Sequence, residues 1–344
     1  MACGFDAGTY NLVCCKRDEN NNFSYKREVN AFIEFPIKDK FVFNMMKNAV
    51  DDKGNPCVPL IEWPDQNVAY ALGEAAMRFA YSMPTLEVKR PMSSGCLNPK
   101  EKHAQQIMAI MAHSLIDESK PKETLFYSVP ANAVNQETDS DYHSMVLKSM
   151  FDGFKDDKGN TVNAQPINEA LALVYAELGA KMYTGLAISC GAGMLNICYA
   201  MYGSPVFSFA VVNSGDWIDQ QAAKATGESI AFINKEKMSV DLLKESDSLV
   251  QNAIKMQYQL MIQKAVAGIK KAFDEAGNKV RAEHPLDVVV AGGTSSPNGF
   301  ETIFEKALKA VSLPVEIGKV IKPSDPLYAV ARGCLIAAEA SEKE

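Results

Sequence analysis

The sequence predicts an α/β chain built as two facing halves, each a mixed sheet with helices on both faces. Three observations carry this. Strand hairpins followed by helices occur twice along the chain, the order that gives mixed sheets covered on both sides. Three glycine turns each close a short apolar run: Gly4-Phe5-Asp6-Ala7-Gly8-Thr9, Ser189-Cys190-Gly191-Ala192-Gly193, and Val288-Val289-Val290-Ala291-Gly292-Gly293-Thr294. Asp6-Ala7-Gly8 and Ser189-Cys190-Gly191 each end one strand and begin a tight turn into a second, an echo that two similar halves would produce. A strand that stops in glycine presents bare N–H groups and lets the main chain approach an anion closely. Such turns at the start, middle and end of one chain point to a ligand gripped between the halves. A nucleotide, with its phosphates, needs that grip most.

Residues 2–15 read as a hairpin, with Lys16 to Asn22 as a loop and Phe23 opening another strand-rich stretch. Asp51-Asp52-Lys53-Gly54-Asn55-Pro56 is a turn, and Asp-Asp-Lys-Gly-Asn recurs at 156–160 as the same turn chemistry. Residues 99–117 carry Ala104, Ile107, Met108, Met111 and Leu115 on one helical face. Thr124 to Pro130 reads as a strand and 166–179 as a helix. Strands follow at Gly185–Cys190, Leu195–Met201 and Val206–Val212, and Asp216 opens a helix. A long helix over 248–276 repeats Ile254, Tyr258, Met261, Ala265, Ile269 and Phe273 along one stripe. The apolar strand Asp287–Ala291, a helix from Phe300 and a last helix from Pro326 complete the chain.

Composition narrows the function classes. The 344 residues are 47% hydrophobic and 22% charged, enough for two domains with real cores. The net charge is −7, with Lys and Arg scattered, so no nucleic-acid surface is expected. None of the eight cysteines forms a C-x-x-C pair, which argues for small buried hydrophobes in a reducing cytoplasm rather than zinc or disulfides. No apolar run approaches the length that spans a bilayer, and the chain enters its first strand at once, so no leader or membrane anchor is expected. The four histidines lack metal-ligand spacing, and no H-E-x-x-H, G-x-S-x-G or Walker loop occurs.

Candidate chemistry lies in two acids and the glycine turns. A carboxylate such as Asp6 beside a phosphate loop repels phosphate unless a divalent cation lies between, so Asp6 is a candidate for hydrated Mg²⁺. Taken alone it reads better as an ordinary turn aspartate; the two other glycine turns reverse that preference. Glu169, at the start of an apolar helix, fits a carboxylate that places a water attacking the terminal phosphate. By sequence alone it reads better as an acid favoured by the helix dipole. Gly292-Gly293-Thr294 would let a base or ribose lie against the backbone, and serves equally as a tight strand-to-helix turn.

The order of these motifs resembles the superfamily of actin, heat-shock ATPases and sugar kinases. Five marker segments have counterparts in order: Gly4–Asn11 and Thr184–Asn196 look like its two phosphate loops, Asp287–Gly299 like its adenosine motif, Pro166–Ala176 and Pro326–Ala338 like its connecting helices. Asp6-Ala7-Gly8-Thr9-Tyr10-Asn11, Gly73-Glu74-Ala75-Ala76 followed by Lys89-Arg90-Pro91-Met92-Ser93-Ser94-Gly95, and Asn234-Lys235-Glu236-Lys237-Met238 are most similar to bacterial actins of the MreB and magnetosome-filament kind. The resemblance implies a two-lobed actin-like fold, a duplicated ribonuclease-H-like unit with a nucleotide cleft between the lobes. Lobe I would hold 1–165 plus 325–344, with a small subdomain at 17–92. Lobe II would hold 166–324, with its own small subdomain shortened or missing at 238–255.

Carried onto this sequence, the resemblance implies that Asp6 approaches Mg²⁺ and Glu169 places the attacking water. Gly8, Thr9 and Asn11, with Gly191, Ala192 and Gly193, would meet the phosphates of ATP or ADP. Gly215 and Asp216 would lie near the ribose, Lys235 and Glu236 at the base, and Gly292, Gly293 and Thr294 on the adenosine side. Two positions depart from the family: Ser189 stands where an aspartate begins the second phosphate loop, and Met194 where a threonine follows it. A serine cannot replace a carboxylate that acts on Mg²⁺ or its waters, so hydrolysis is expected to suffer more than binding. The expected protein is a slow cytoplasmic ATPase whose partner is itself, in a nucleotide-regulated filament, with a cargo adaptor unspecified. The alternatives are a non-polymerising scaffold or adaptor of the same fold and a chaperone-type ATPase.

Overall fold

The computed structural model describes residues 2–83, 86–116, 124–134, 137–155, 161–280 and 284–342. β1 (Ala2–Ala7) and β2 (Asn11–Arg17) form the expected antiparallel hairpin, and β3 (Phe23–Val29) extends it. The chain then builds a small subdomain from β4 (Phe32–Pro36), α1 (Lys40–Lys47), β5 (Leu60–Trp63), β6 (Val68–Leu72), α2 (Gly73–Ser82) and β7 (Val88–Lys89). Its strands run in the order β5-β6-β4-β7 over a separate core that includes Ile33, Phe35, Met46 and Ala69. The turn at Asp51 closes through its own carboxylate, which accepts from the Lys53 and Asn55 N–H groups at 2.8 and 2.9 Å; the copy at 156–160 lies outside the described residues.

β8 (Met92–Ser93) and β9 (Cys96–Leu97) form a hairpin whose Ser94-Gly95 turn has φ of 50° and 76°, the twist that a two-residue hairpin favours. α3 (Ala104–Leu115), β10 (Thr124–Val129), α4 (Ser140–Asp152) and β11 (Asn163–Asn168) complete the first half. Its sheet runs β11-β10-β1-β2-β3, with β1, β10 and β11 parallel.

The second half repeats this plan. After α5 (Glu169–Glu177) come β12 (Gly185–Cys190), β13 (Leu195–Met201) and β14 (Ser204–Val211), an antiparallel meander. α6 (Gly215–Thr226), α7 (Ile230–Ser239) and α8 (Leu249–Ala276) lead to β15 (Leu286–Ala291), α9 (Phe300–Lys309), β16 (Ile317–Ile321) and α10 (Ala329–Ser341). The sheet order is β14-β13-β12-β15-β16, with β12, β15 and β16 parallel, so the two sheets share one topology. β12 and β15 are buried along almost their whole length because helices cover both faces, which is why they read as unbroken apolar runs. Among the described residues between β14 and β15 there is no strand; Val240 to Ser248 is a loop with one bridge, Asp241 to Asn298.

α5 and α10 lie side by side between the sheets. α10 packs Ala331 and Leu335 against Val13 and Cys15 of the first sheet, while Val330 and Cys334 meet Ala172 of α5. α5 packs Leu173 and Val174 against Ala187, Cys198 and Val289 of the second. A Cβ at Gly333 would collide with the Ala172 carbonyl, so the close helix crossing requires glycine there.

The starts of α5 and α10 differ from expectation, and α7 was not expected. The segment from 166 is not wholly helical: β11 runs to Asn168 on the first sheet, past residue 165, and the helix begins at Glu169. Pro166 is accommodated because β11 is an edge strand, where a missing N–H costs no ladder bond. The Asn168 carboxamide then caps the helix by accepting from the Ala170 and Leu171 N–H groups, both at 3.1 Å. The last helix begins at Ala329 rather than Pro326. α7 carries no sequence signal because only Ile233 and Lys237 are buried, too few for an apolar stripe.

Candidate functional site

One cleft of about 330 Å³ lies between the two sheets, and all three glycine turns reach it. Gly8, Thr9 and Asn11 of the β1–β2 turn, Gly191, Ala192 and Gly193 of the β12–β13 turn, and Gly292, Gly293 and Thr294 after β15 line it. Duplicated topology explains the first two: each sits at the same corner of its sheet. The third follows from parallel pairing, since β15 lies beside β12 and ends at the same edge. Gly292 has a φ of 92°, and a Cβ there would strike the Cys190 backbone. Its N–H donates to the Pro326 carbonyl at 2.8 Å, tying this turn to the approach of α10. The Thr294 hydroxyl donates to the Gly191 carbonyl at 2.8 Å, joining the second and third turns.

Asp6 and Glu169 form the acidic floor. The Ser128 hydroxyl donates to Asp6 Oδ1 at 2.8 Å and accepts from the Ala7 N–H at 2.9 Å. Burial pushes the Asp6 carboxyl up to about 6, partly offset by Ser128. Glu169 receives one neutral donor on each oxygen: Ser189 Oγ on Oε1 at 2.6 Å and Asn196 Nδ2 on Oε2 at 2.7 Å. Asn196 is itself fixed, its Oδ1 accepting from the Ala131 N–H at 2.9 Å. Burial first, and then the Asp6 charge, push Glu169 up to about 8. A helix N-terminus favours an acid by only about 0.3–1 kcal/mol, so desolvation wins and Glu169 is not stabilised as a dipole-capping residue.

Gly215 lies one layer behind the lining: its N–H meets the Gly191 carbonyl at 3.3 Å, and Lys237 Nζ donates to its carbonyl at 2.9 Å. Asp216 lines the cleft and is held by Arg90, whose Nη1 lies 2.8 and 3.0 Å from the two carboxylate oxygens. This pair spans the cleft between the lobes, and the Arg90 guanidinium also lies 4.7 Å from the Tyr10 ring centre. Lys235 and Glu236 do not line the cleft. α7 turns them away and presents Asn234, Lys237 and Met238 instead, positions three and four apart on one face. Lys237 is committed to the buried Asp219 carboxylate at 2.7 Å, and Asn234 donates to the same group at 2.7 Å.

Sequence reading missed Arg27, Ser128, Asn196, Asn234, Lys237 and Tyr258. Asn234 and Lys237 stood inside a segment already singled out, but with only Ile233 and Lys237 buried α7 has no apolar stripe from which its cleft face could be read. Ser128 and Arg27 reach the cleft only through strand pairing, and Tyr258 through its hydroxyl, which donates to the Thr294 carbonyl at 3.1 Å. Met194, at the threonine position, is buried against Gly95 of the opposite lobe.

Among the described residues no cluster of three His, Cys, Asp or Glu could hold a bare metal ion. Two shut-in carboxyls with raised pKa suit a hydrated divalent cation whose remaining ligands come from water and phosphate. Asn11 Oδ1, buried at the first turn without a hydrogen-bond partner, is a further acceptor for such a shell.

A family model described as Volactin matches residues 1–338. Comparison with curated protein sequences finds no match. Among solved structures, the chain is similar to the MamK double helical filament (TM-score 0.67, 15% identity, 98% of each chain). It is also similar to MreB5 of Spiroplasma citri bound to ADP (TM-score 0.64, 15% identity, 99% of this chain and 97% of that one). A non-polymerising MamK mutant bound to AMPPNP aligns at a TM-score of 0.55 with 16% identity and 98% of each chain. Coverage of both lobes makes the fold two-lobed and actin-like.

Proposed function

The chain belongs to the Volactin family and has an actin-like fold, and from that premise we propose that it binds Mg²⁺-ATP in the cleft and assembles with copies of itself into nucleotide-regulated filaments, hydrolysing slowly. One observation carries the reading: three glycine turns from the beginning, middle and end of the sequence converge on one cavity with Asp6 and Glu169 at its floor. Structures similar to this chain support it, since two are described as bound to ADP or AMPPNP and one as a filament.

Gly8, Thr9 and Asn11 on one lobe and Gly191 to Gly193 on the other cradle the phosphates between them, so ligand binding draws the lobes together. Lys237, Asn234, Met238 and Gly292 to Thr294 form the nucleoside end. Bound with nucleotide, hydrated Mg²⁺ supplies the positive charge that Asp6 and the phosphates share. Once ionised, as the charge of a bound cation would favour, Glu169 orients the attacking water and takes its proton at a carboxylate oxygen; Ser189 and Asn196 fix that carboxyl in the plane it needs. Because Ser189 brings a hydroxyl instead of a third negative group, turnover is slow. Removing one positioned polar group costs on the order of 10²–10³ in rate. Lobe closure alters the surfaces presented to the next copy, and a head-to-tail contact that does not close into a ring gives a filament.

The lobes follow the two sheets: residues before Glu169 and the α10 end make lobe I, with the small subdomain of β4 to β7, and the remainder makes lobe II with only a loop where a second small subdomain would stand. No helix of the described residues is long and apolar enough to cross a membrane. Ultracentrifugation with and without Mg²⁺-ATP, followed by negative-stain microscopy of the pellet, tests assembly. Ordered polymers that require nucleotide are expected. A species that binds ATP yet stays monomeric at high concentration would mean a non-polymerising scaffold.

A further inference from the structure

The inward face of β3 contains an anomaly. By the two-residue period of a strand, Phe23, Tyr25, Arg27 and Val29 point the same way. Tyr25 stacks on Tyr328 with ring centres 4.7 Å apart, and Val29 is buried at 6% exposure. Arg27, between them, is exposed, because it lines the cleft. The opposite face of the strand is occupied differently: Glu28 Oε1 accepts from the Glu74 N–H at the start of α2 at 2.9 Å.

Strand register aims Arg27 at the acidic floor. Asp6 pairs with Val13, and Val13 pairs with Arg27, so Asp6 and Arg27 share a row and a face, two strands apart. Strand spacing sets their Cα atoms roughly 10 Å apart, too far for a direct ion pair and wide enough for an anionic group between them. The Arg27 guanidinium makes no hydrogen bond or ion pair with any other described residue. The other cation lining the cleft, Lys237, is committed to Asp219 and the Gly215 carbonyl. Arg90, at the cleft mouth, is committed to Asp216.

We propose that Arg27 is the phosphate-binding cation of the cleft: its guanidinium grips the polyphosphate from lobe I, opposite the Gly191 to Gly193 turn. This rests on the nucleotide reading above and adds the residue that answers the phosphate charge. Two carboxyls at the floor make the cleft a poor place for a polyanion unless some group there is positive and unspent. A guanidinium meets phosphate with parallel N–H donors that the backbone turns lack.

Isothermal titration of ATP and of adenosine into wild type, Arg27→Ala and Arg27→Lys, at two salt concentrations with Mg²⁺ present, tests it. Arg27 is exposed and packs against no core, so the variants are expected to melt with wild type. The expected result is an ATP affinity about 10- to 100-fold weaker in Arg27→Ala, the worth of a charge-assisted hydrogen bond. Adenosine affinity stays unchanged, the salt dependence of ATP binding becomes shallower, and Arg27→Lys recovers part of the loss. Wild type and Arg27→Ala binding ATP equally would overturn the assignment while leaving the nucleotide reading intact. An equal loss of adenosine binding would also overturn it, by assigning Arg27 to the shape of the cleft. Wild type binding neither compound would remove both readings.

Discussion

At the scale of single groups, Glu169 and Asp6 are the two buried carboxyls on the floor of the cleft. Both carboxyls titrate above their usual range, near 8 and 6, because burial penalises their charge and Glu169 also feels Asp6. The ligand-free folded chain therefore holds protons that the unfolded chain releases between about pH 4 and pH 8. Stability is greatest at the acidic end of that window and falls as pH rises through it. Thermal melting of the ligand-free protein from pH 5.5 to 8.5 is expected to show that decline, and Glu169→Gln to flatten it by removing the charge. The same variant should retain ATP binding and lose phosphate release by about 10²-fold or more. Ser189→Asp probes the departure from the family directly. A third carboxylate beside Glu169 should lower the ligand-free melting temperature and raise Mg²⁺-dependent phosphate release; an unchanged release rate would mean that Ser189 is not what slows the reaction.

Among elements, the contacts between the lobes decide how the cleft opens. α5 and α10 form its base, pressed together at Gly333 and Ala172. Farther out, Val134 N–H donates to the Ala210 carbonyl at 2.9 Å, stitching lobe I to the edge strand β14. The β8–β9 turn sets Gly95 against Met194. Arg90 and Asp216 close the mouth, each about one quarter exposed, so solvent screens them and the pair is worth far less than a buried one. A weak contact at the mouth and tight packing at the base would let the lobes hinge. Arg90→Ala is expected to leave the fold intact and widen the average cleft, read as a larger radius of gyration by solution X-ray scattering without ligand. The difference should vanish with Mg²⁺-ATP, because the ligand then bridges the lobes.

For the whole molecule, two copies of one sheet topology face each other, and a single ligand touching both would link their stabilities. Binding to the folded state alone stabilises it by about 2.7 kcal/mol at one hundred times the dissociation constant. Saturating Mg²⁺-ATP is therefore expected to raise the melting temperature by several degrees. Adenosine, which would reach only the proposed nucleoside end, should raise it less at equal concentration. Running the same series with GTP would test whether the α7 face discriminates between bases, a choice on which neither sequence nor motif spoke.

The residue order alone determined the glycine turns, the unbroken apolar strands β12 and β15, the long helix α8 and the actin-like resemblance, because each depends on composition or period within one stretch of chain. It also pointed to Asp6 and the three turns as candidates for one site, which Glu169 joined only through the resemblance. Tertiary structure alone decided which face of α7 meets the cleft, that Asn196 and Ser189 hold Glu169, that Asp216 is spent on Arg90, and that Arg27 stands in the row of Asp6. These facts depend on register and on partners distant in sequence. A strand displaced by one residue turns every side chain to its other face, so no reading along the chain could have assigned them.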